Sequence, residues 1–177
     1  LHSGSRYFGV RVRDHYLEAG KEQVGLDQRL YSKVPHLHAG AGLADDYLFD
    51  QKVVVDFARE SRREMMLRVL EVFAELFPKT TKDEWVSLID TRFDVTHNFA
   101  DREEHFGQPL YVHRKGAICL SEGQIGMVPG SMGTSSYVVE GRANPFGLSS
   151  CSHGAGRAMS RGDALRQISD DEFRTSM

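Results

Sequence analysis

Three of the chain's eight histidines sit among small and polar neighbours: His2 in LHSGSR, His97 in THNFA and His153 in SHGAGR. Such surroundings are poor for burying a ring by packing. They are good for bringing backbone close to a ligand, because glycine accepts the turns this needs. Neutral imidazole is a ligand of borderline divalent metals, usually beside a carboxylate or thiolate, and His2 and His97 fit that pattern. Two imidazoles do not complete a metal site, and the remaining ligands are not evident. For any one of these histidines, a turn residue satisfied by local hydrogen bonds is the ordinary alternative. His36 and His38, in PHLHAG, read as a surface loop, and His105 and His113 are also given no chemical role.

Two loops rich in glycine and hydroxyls add to this. VPGSMGTSS (128–136) supplies Gly130, Ser131, Gly133, Thr134, Ser135 and Ser136, and HGAG (153–156) is the second. Exposed backbone N–H groups in such loops make nests for phosphate. Neither loop matches the Gly-Lys-Ser/Thr phosphate loop or the GxGxxG dinucleotide fingerprint. Arg6, Arg114, Lys115, Arg157 and Arg161 stand near these stretches in sequence, and guanidinium groups fork onto phosphate oxygens, so an anion-binding surface is expected. A neutral imidazole can also attack phosphorus and form a labile P–N bond. Together these residues point to metal-assisted phosphoryl or nucleotidyl transfer ahead of acyl transfer or redox chemistry.

The elements that would position them are partly legible. Residues 1–12 read as a strand end followed by a glycine-containing turn, and 14–42 as mixed, with several breakers. VPHLHAGAGLADDY reads as a loop leading into a helix, with Asp45 or Asp46 as N-cap. That helix is predicted over about 46–77, on the three- and four-residue spacing of Val54, Phe57, Ala58, Met65, Val69, Val72, Phe73 and Leu76, with Pro78 closing it. A shorter helix with a threonine cap is expected at 80–90. PLYVHRKGA and SSYVVEG read as strands, EGQIGMVPGSMGTSS and HGAGRAMS as loops, and RGDALRQISDDEFR as helix.

Composition bounds the rest. With 177 residues, 40% of them apolar, the chain can bury the core of one domain, or of a core carrying an inserted subdomain. A net charge of -3 gives no global basic field for nucleic acid. Cys119 and Cys151 make no disulfide framework and read as buried thiols in a reducing compartment. No apolar run approaches the ~20 residues of a membrane span, so a cytoplasmic location is expected. The opening LHSGSRYFG reads as the end of a strand that begins elsewhere, and the chain as a piece of a longer protein.

LHSGSR, HNF, HFGQPLYVHRKGA, GMVPGSMGTSSYVVEG and SCSHGAGRAMSR, in that order, resemble the second half of the RtcB family of RNA-splicing ligases. PGSMG followed by SHGAGR is the most specific part, and the likeness is weak through 14–90. The elements read above place a helical segment of about 45–90 between two parts of a strand-and-loop core, an α+β fold; the resemblance makes that core RtcB-like and residues 1–177 a partial catalytic domain. It also implies a GTP- and Mn²⁺-dependent RNA ligase of tRNA splicing and RNA repair, with two Mn²⁺ in a complete site. Such a ligase joins 3′-phosphate or 2′,3′-cyclic phosphate ends to 5′-hydroxyl ends. By the same resemblance His153 becomes guanylylated, and His2 and His97 are metal ligands. His97, Asn98, Pro129, Gly130, Ser131, Met132, Ser136, Gly154, Ala155 and Gly156 would contact the nucleotide. Arg6, Arg157 and Arg161 would face RNA or nucleotide phosphates. RNA carrying such ends, as tRNA halves or damaged RNA, and an archease-type activator are the implied partners, with no membrane.

The chain also departs from the family. The Asp-x-x-Cys metal motif, the Gly-Asn-His-Phe segment with a third histidine ligand, and the C-terminal lysine near the guanine pocket do not occur in it. The first two are expected upstream of Leu1. A non-catalytic nucleotide- or RNA-binding remnant of the same fold is therefore the alternative. An unrelated metal-dependent phosphohydrolase would leave the ordered motif series a coincidence.

Overall fold

Val12, Tyr16 and Gly20 follow Phe8 at four-residue steps, which stacks them on one face of a helix, and Arg6–Gln23 is helical (α1). A computed structural model describes residues 1–23, 35–40, 42–87 and 94–176. They fall into two units, Leu1–Thr91 and Arg92–Met177.

The first unit is helical among its described residues. α1 overturns the expected strand end and turn at 1–12. Gly9, read there as a turn residue, lies inside the helix, where a Cβ would stand 3.2 Å from Val54 Cγ1. Its small size lets α1 approach the second helix, Gly42–Leu76 (α2). Tyr16 joins the two through a 2.8 Å hydrogen bond to Asp50 and an edge contact with Tyr47, and Phe8 meets Phe57 edge-on. Burial, helped by the bond to Asp50, pushes the Tyr16 phenol up to about 12.

α2 starts four residues earlier than expected, so Asp45 lies in its first turn, where a carboxylate suits the helix dipole, and is not the cap. Of the predicted apolar face Ala58 is buried, whereas Phe57, Val69, Val72, Phe73 and Leu76 stay exposed. For the last four the reason is length, whereas Phe57 is exposed even though it meets Phe8. At 35 residues α2 extends well past the 18-residue α1 that packs on it. The threonine-capped helix is present at Lys82–Ser87 (α3), with Thr81 and Glu84 forming a reciprocal capping box. Residues 88–90 of that expectation lie outside the described residues. No described helix is long and apolar enough to cross a membrane.

The second unit carries the strands, in three antiparallel pairs. β1 (Asn98–His105) pairs with β2 (Gln108–Lys115) through a two-residue turn, Phe106–Gly107. Both turn residues have positive φ, the geometry whose twist matches a hairpin. β3 (Ala117–Cys119) pairs with β6 (Ser150–Ser152), and β4 (Ile125–Val128) with β5 (Tyr137–Glu140). Strands occur where PLYVHRKGA and SSYVVEG predicted them. β4 was expected as loop; it is extended because Gly126 lets the chain lie against Leu120, whose Cδ2 a Cβ would meet at 2.7 Å. The terminal helical stretch is two helices, Arg161–Gln167 (α4) and Asp170–Ser176 (α5). Helices and small antiparallel sheets together make the α+β arrangement that was expected.

Ala100, Val112, Ile118 and Leu120 form the buried core of this unit, and Arg114 is buried with them. Both Cys119 and Cys151 are only half-buried, a correction to their reading as buried thiols. Arg114 corrects another expectation. Its side chain is 1% exposed and forks onto Glu103, which also accepts from His105 at 2.8 Å, so it is a structural cation and not part of an anion-binding surface.

The Arg114 fork, aided by His105, holds the Glu103 carboxyl below the usual carboxylate range despite its partial burial. A depressed folded value means the unfolded chain holds the proton more tightly. The pair's stabilisation is then complete above the ordinary carboxyl pKa of ~4.3 and is lost as pH falls through the folded value. Glu103→Gln should lower stability by about 3 kcal/mol at pH 7, as expected on breaking a buried pair. The gap between its urea midpoint and that of the unaltered chain should close on acidification. A gap that stays constant down to pH 2 would contradict this.

Candidate active site

Gly116 makes the one-residue turn from β2 to β3 at φ +67°. Its N–H donates to the carbonyl of His97 at 2.7 Å and lies 3.2 Å from Oδ1 of Asn98. The residues just before and at the start of β1 are thereby tied to the end of β2. β6 runs beside β3 with Ser152 opposite Ala117, and so delivers His153 to the same turn. The His153 ring lies over Gly116, where a Cβ would stand 3.2 Å from Cε1 and 3.3 Å from Nδ1. The His97 and His153 rings are 4.6 Å apart between centroids, tilted by 37°, and both residues are half-buried.

The two glycine loops dock on each other beside this pair. β4 leads into Pro129, whose carbonyl accepts from the Ala155 N–H at 3.0 Å. A Cβ on Gly154 would stand 2.9 Å from that same oxygen, so this glycine is small because of the neighbouring loop. Ser152 Oγ donates to the Gly154 carbonyl at 3.0 Å. In the other loop the Gly130 N–H donates to Ser136 Oγ at 3.2 Å, and the Ser131 N–H to Thr134 Oγ1 at 2.8 Å. The expected phosphate nest of exposed N–H groups is therefore corrected for Gly130, Ser131 and Ala155, whose N–H groups point at acceptors within the unit.

The structure thus gathers His97, Asn98, Pro129, Gly130, Ser136, His153, Gly154 and Ala155 in the second unit. Gly156 follows with open space about its Cα, and Met132 projects from its loop. Arg157 is exposed on the segment leaving His153, and Arg161 is exposed at the first residue of α4. His2 and Arg6 belong to the first unit; both are exposed, and Arg6 opens α1 with φ +53°. Among the described residues no three His, Cys, Asp or Glu side chains converge as a metal site. Sequence reasoning missed Gly116 and assigned Arg114 wrongly. For Arg114 a signal existed: it alternates with Val112 on β2, which puts both on the inward face.

The family model for tRNA-splicing ligase RtcB matches residues 1–177. The RNA-splicing ligase RtcB of Escherichia coli K12 is 36% identical over 179 residues, spanning 99% of this chain and 44% of its own length. The tRNA-splicing ligase RtcB of Thermococcus kodakarensis is 33% identical over 204 residues, spanning all of this chain and 40% of its own length. The RNA-splicing ligase RtcB of Mycobacterium tuberculosis is 31% identical, with all of this chain and 44% of its own length covered. The chain spans less than half the length of these relatives.

Proposed function

The chain belongs to the RtcB family of tRNA-splicing ligases, and on that premise we propose that it carries the guanylate-accepting part of a GTP- and Mn²⁺-dependent RNA ligase. What supports this reading most is the meeting of His97 and His153 over Gly116, since all three stand within the ordered motifs that resemble the family. A lone pair of the His153 imidazole forms a bond to the α-phosphorus of GTP. The bond from that phosphorus to the bridging oxygen breaks, pyrophosphate leaves with its electron pair, and the ring proton passes to solvent. GMP then moves from nitrogen to an RNA 3′-phosphate oxygen, a 2′,3′-cyclic end having first been opened by water. A 5′-hydroxyl attacks the 3′-phosphorus and displaces GMP. tRNA halves or damaged RNA are the proposed substrates, and an archease-type activator the proposed partner.

His97 and His2 are the proposed metal ligands in this chain. Their imidazoles suit Mn²⁺ chemically, but no described trio of His, Cys, Asp or Glu completes a set. When bound, the cation would draw charge from the α-phosphate. His97 holds the ring of His153 from one side and Gly116 bounds it from below, which limits the directions in which it can attack. Ser136 and the exposed Arg157 and Arg161 are proposed to meet nucleotide and RNA phosphates, with Asn98, Pro129, Gly130, Ser131, Met132, Gly154, Ala155 and Gly156 around the nucleotide.

Incubation with α-labelled GTP and Mn²⁺ should leave acid-labile, base-stable label on the peptide that contains His153. Label on another peptide would sink the assignment. An absence of three convergent ligands among the described residues favours a second reading, a binding remnant. Protein that takes up no label, yet melts at higher temperature with GTP, would establish that one.

A further inference from the structure

β6 is only three residues long, and it hands directly to His153. A ladder so short specifies its own register weakly, and a slip of one residue turns every side chain to the opposite face. The approach to β6 is also strained, with Leu148 and Ser149 both at φ +49°, a region unfavourable to residues with a Cβ. Something outside the strand must hold it in place.

Arg114 meets that need. Its Nε donates to Ser150 Oγ at 3.0 Å and its Nη2 to the Leu148 carbonyl at 2.8 Å. These two contacts bracket the strained Ser149, whose own carbonyl accepts from Leu120 N–H at 2.8 Å. Glu103 grips the guanidinium from β1, and the Phe99 ring centre lies 5.3 Å from its Cζ. Guanidinium is planar and presents its donors in a rigid fork. One group built into the β1–β2 hairpin thus ties down the residues at which β6 begins.

We infer that Arg114 is a positioning residue for His153: it pins the start of β6 and, through that register, seats the His153 ring beside His97 and Gly116. The consequence for guanylate transfer rests on the function proposed above, but the seating itself does not.

Arg114→Lys tests it in the full chain, since lysine keeps the charge but replaces three forked nitrogens, which reach carboxylate, carbonyl and hydroxyl, with a single one. Nuclear Overhauser contact between Gly116 Hα and His153 Hε1 should disappear. Amide protection in β6 should fall by about tenfold or more while β1–β2 and β4–β5 keep theirs. Guanylate uptake should fall by about 100-fold, the cost of a misplaced reacting group. A retained contact with native uptake overturns the inference, and so does protection lost evenly across all three sheets, which would mark a merely structural role. If the unaltered chain takes up no guanylate, the functional reading fails, and the Overhauser contact still decides the seating. Should Arg114→Lys not fold, Ser150→Ala removes the Nε contact, together with the 3.2 Å bond from Ser150 Oγ to the Leu148 carbonyl, and leaves the pairing of Arg114 with Glu103 in place. A weakened contact at His153 then supports the inference, and an unchanged spectrum around β6 overturns it.

Discussion

Gly116→Ala is expected to cut covalent guanylate uptake by about 100-fold while the β1–β2 hairpin stays folded, because small misplacement of a reacting group is that costly. Two separate effects meet at this residue. With φ at +67°, any side chain here is strained, at a cost of ~1 kcal/mol for alanine. The added Cβ would also stand 3.2 Å from Cε1 and 3.3 Å from Nδ1 of His153, so the ring must move by a few tenths of an ångström. It cannot move freely, since the His97 ring lies beside it. Gly107→Ala separates the two effects. Gly107 has nearly the same φ, +72°, and nothing within 4 Å of a built Cβ. Both variants should lose about 1 kcal/mol in urea melts, and only Gly116→Ala should lose label. Equal label uptake by the two would show that the His153 seat over Gly116 is not needed for the transfer.

That Gly116 had to be found in the structure is instructive. The motifs containing His97 and His153 were legible, because small residues around a histidine are unusual on packing grounds. The link between them was not. It is a backbone bond from Gly116 to the His97 carbonyl, made by a glycine that looks like any turn residue in VHRKGA. The serine boxes show the opposite case. SRGD and SDDE each place an acid three residues after a serine, and each caps a helix, through Ser160 with Asp163 and Ser169 with Glu172. Such local signals carry their own geometry, and the second explains why the expected single helix is two. Gly9 was misread because one of the two side chains crowding it, Val54, is far along the chain; the other is Ser5. Arg114 was misread because charge was weighed ahead of strand alternation. Local chemistry was legible in this sequence, and roles set by a distant neighbour were not.

A second substitution should do more damage to stability than any at the histidines. Gly141 closes β5, and its N–H donates to the Gln124 carbonyl at 2.8 Å while its own carbonyl accepts from Gly123 N–H at 3.0 Å. It is buried, and a Cβ there would collide with the Ser121 carbonyl oxygen and stand 2.7 Å from that of Leu120. Both obstacles are backbone, which cannot rotate aside as a long side chain would. Gly141→Ala must therefore part β5 from the turn at 121–124, and it loses the two hydrogen bonds as well. Overpacking costs ~1–3 kcal/mol and each lost bond about 1 kcal/mol, so a loss of about 3–5 kcal/mol is expected. For a unit of this size that lowers the melting temperature by about 15 °C or more. The damage also reaches the site, because β4 pairs with β5 and leads into Pro129, whose carbonyl holds Ala155. Guanylate uptake by Gly141→Ala should recover on cooling below its lowered melting point, whereas that of Gly116→Ala should not. A Gly141→Ala chain that melts within 2 °C of the unaltered one, measured by circular dichroism, would contradict the close approach between β5 and this turn.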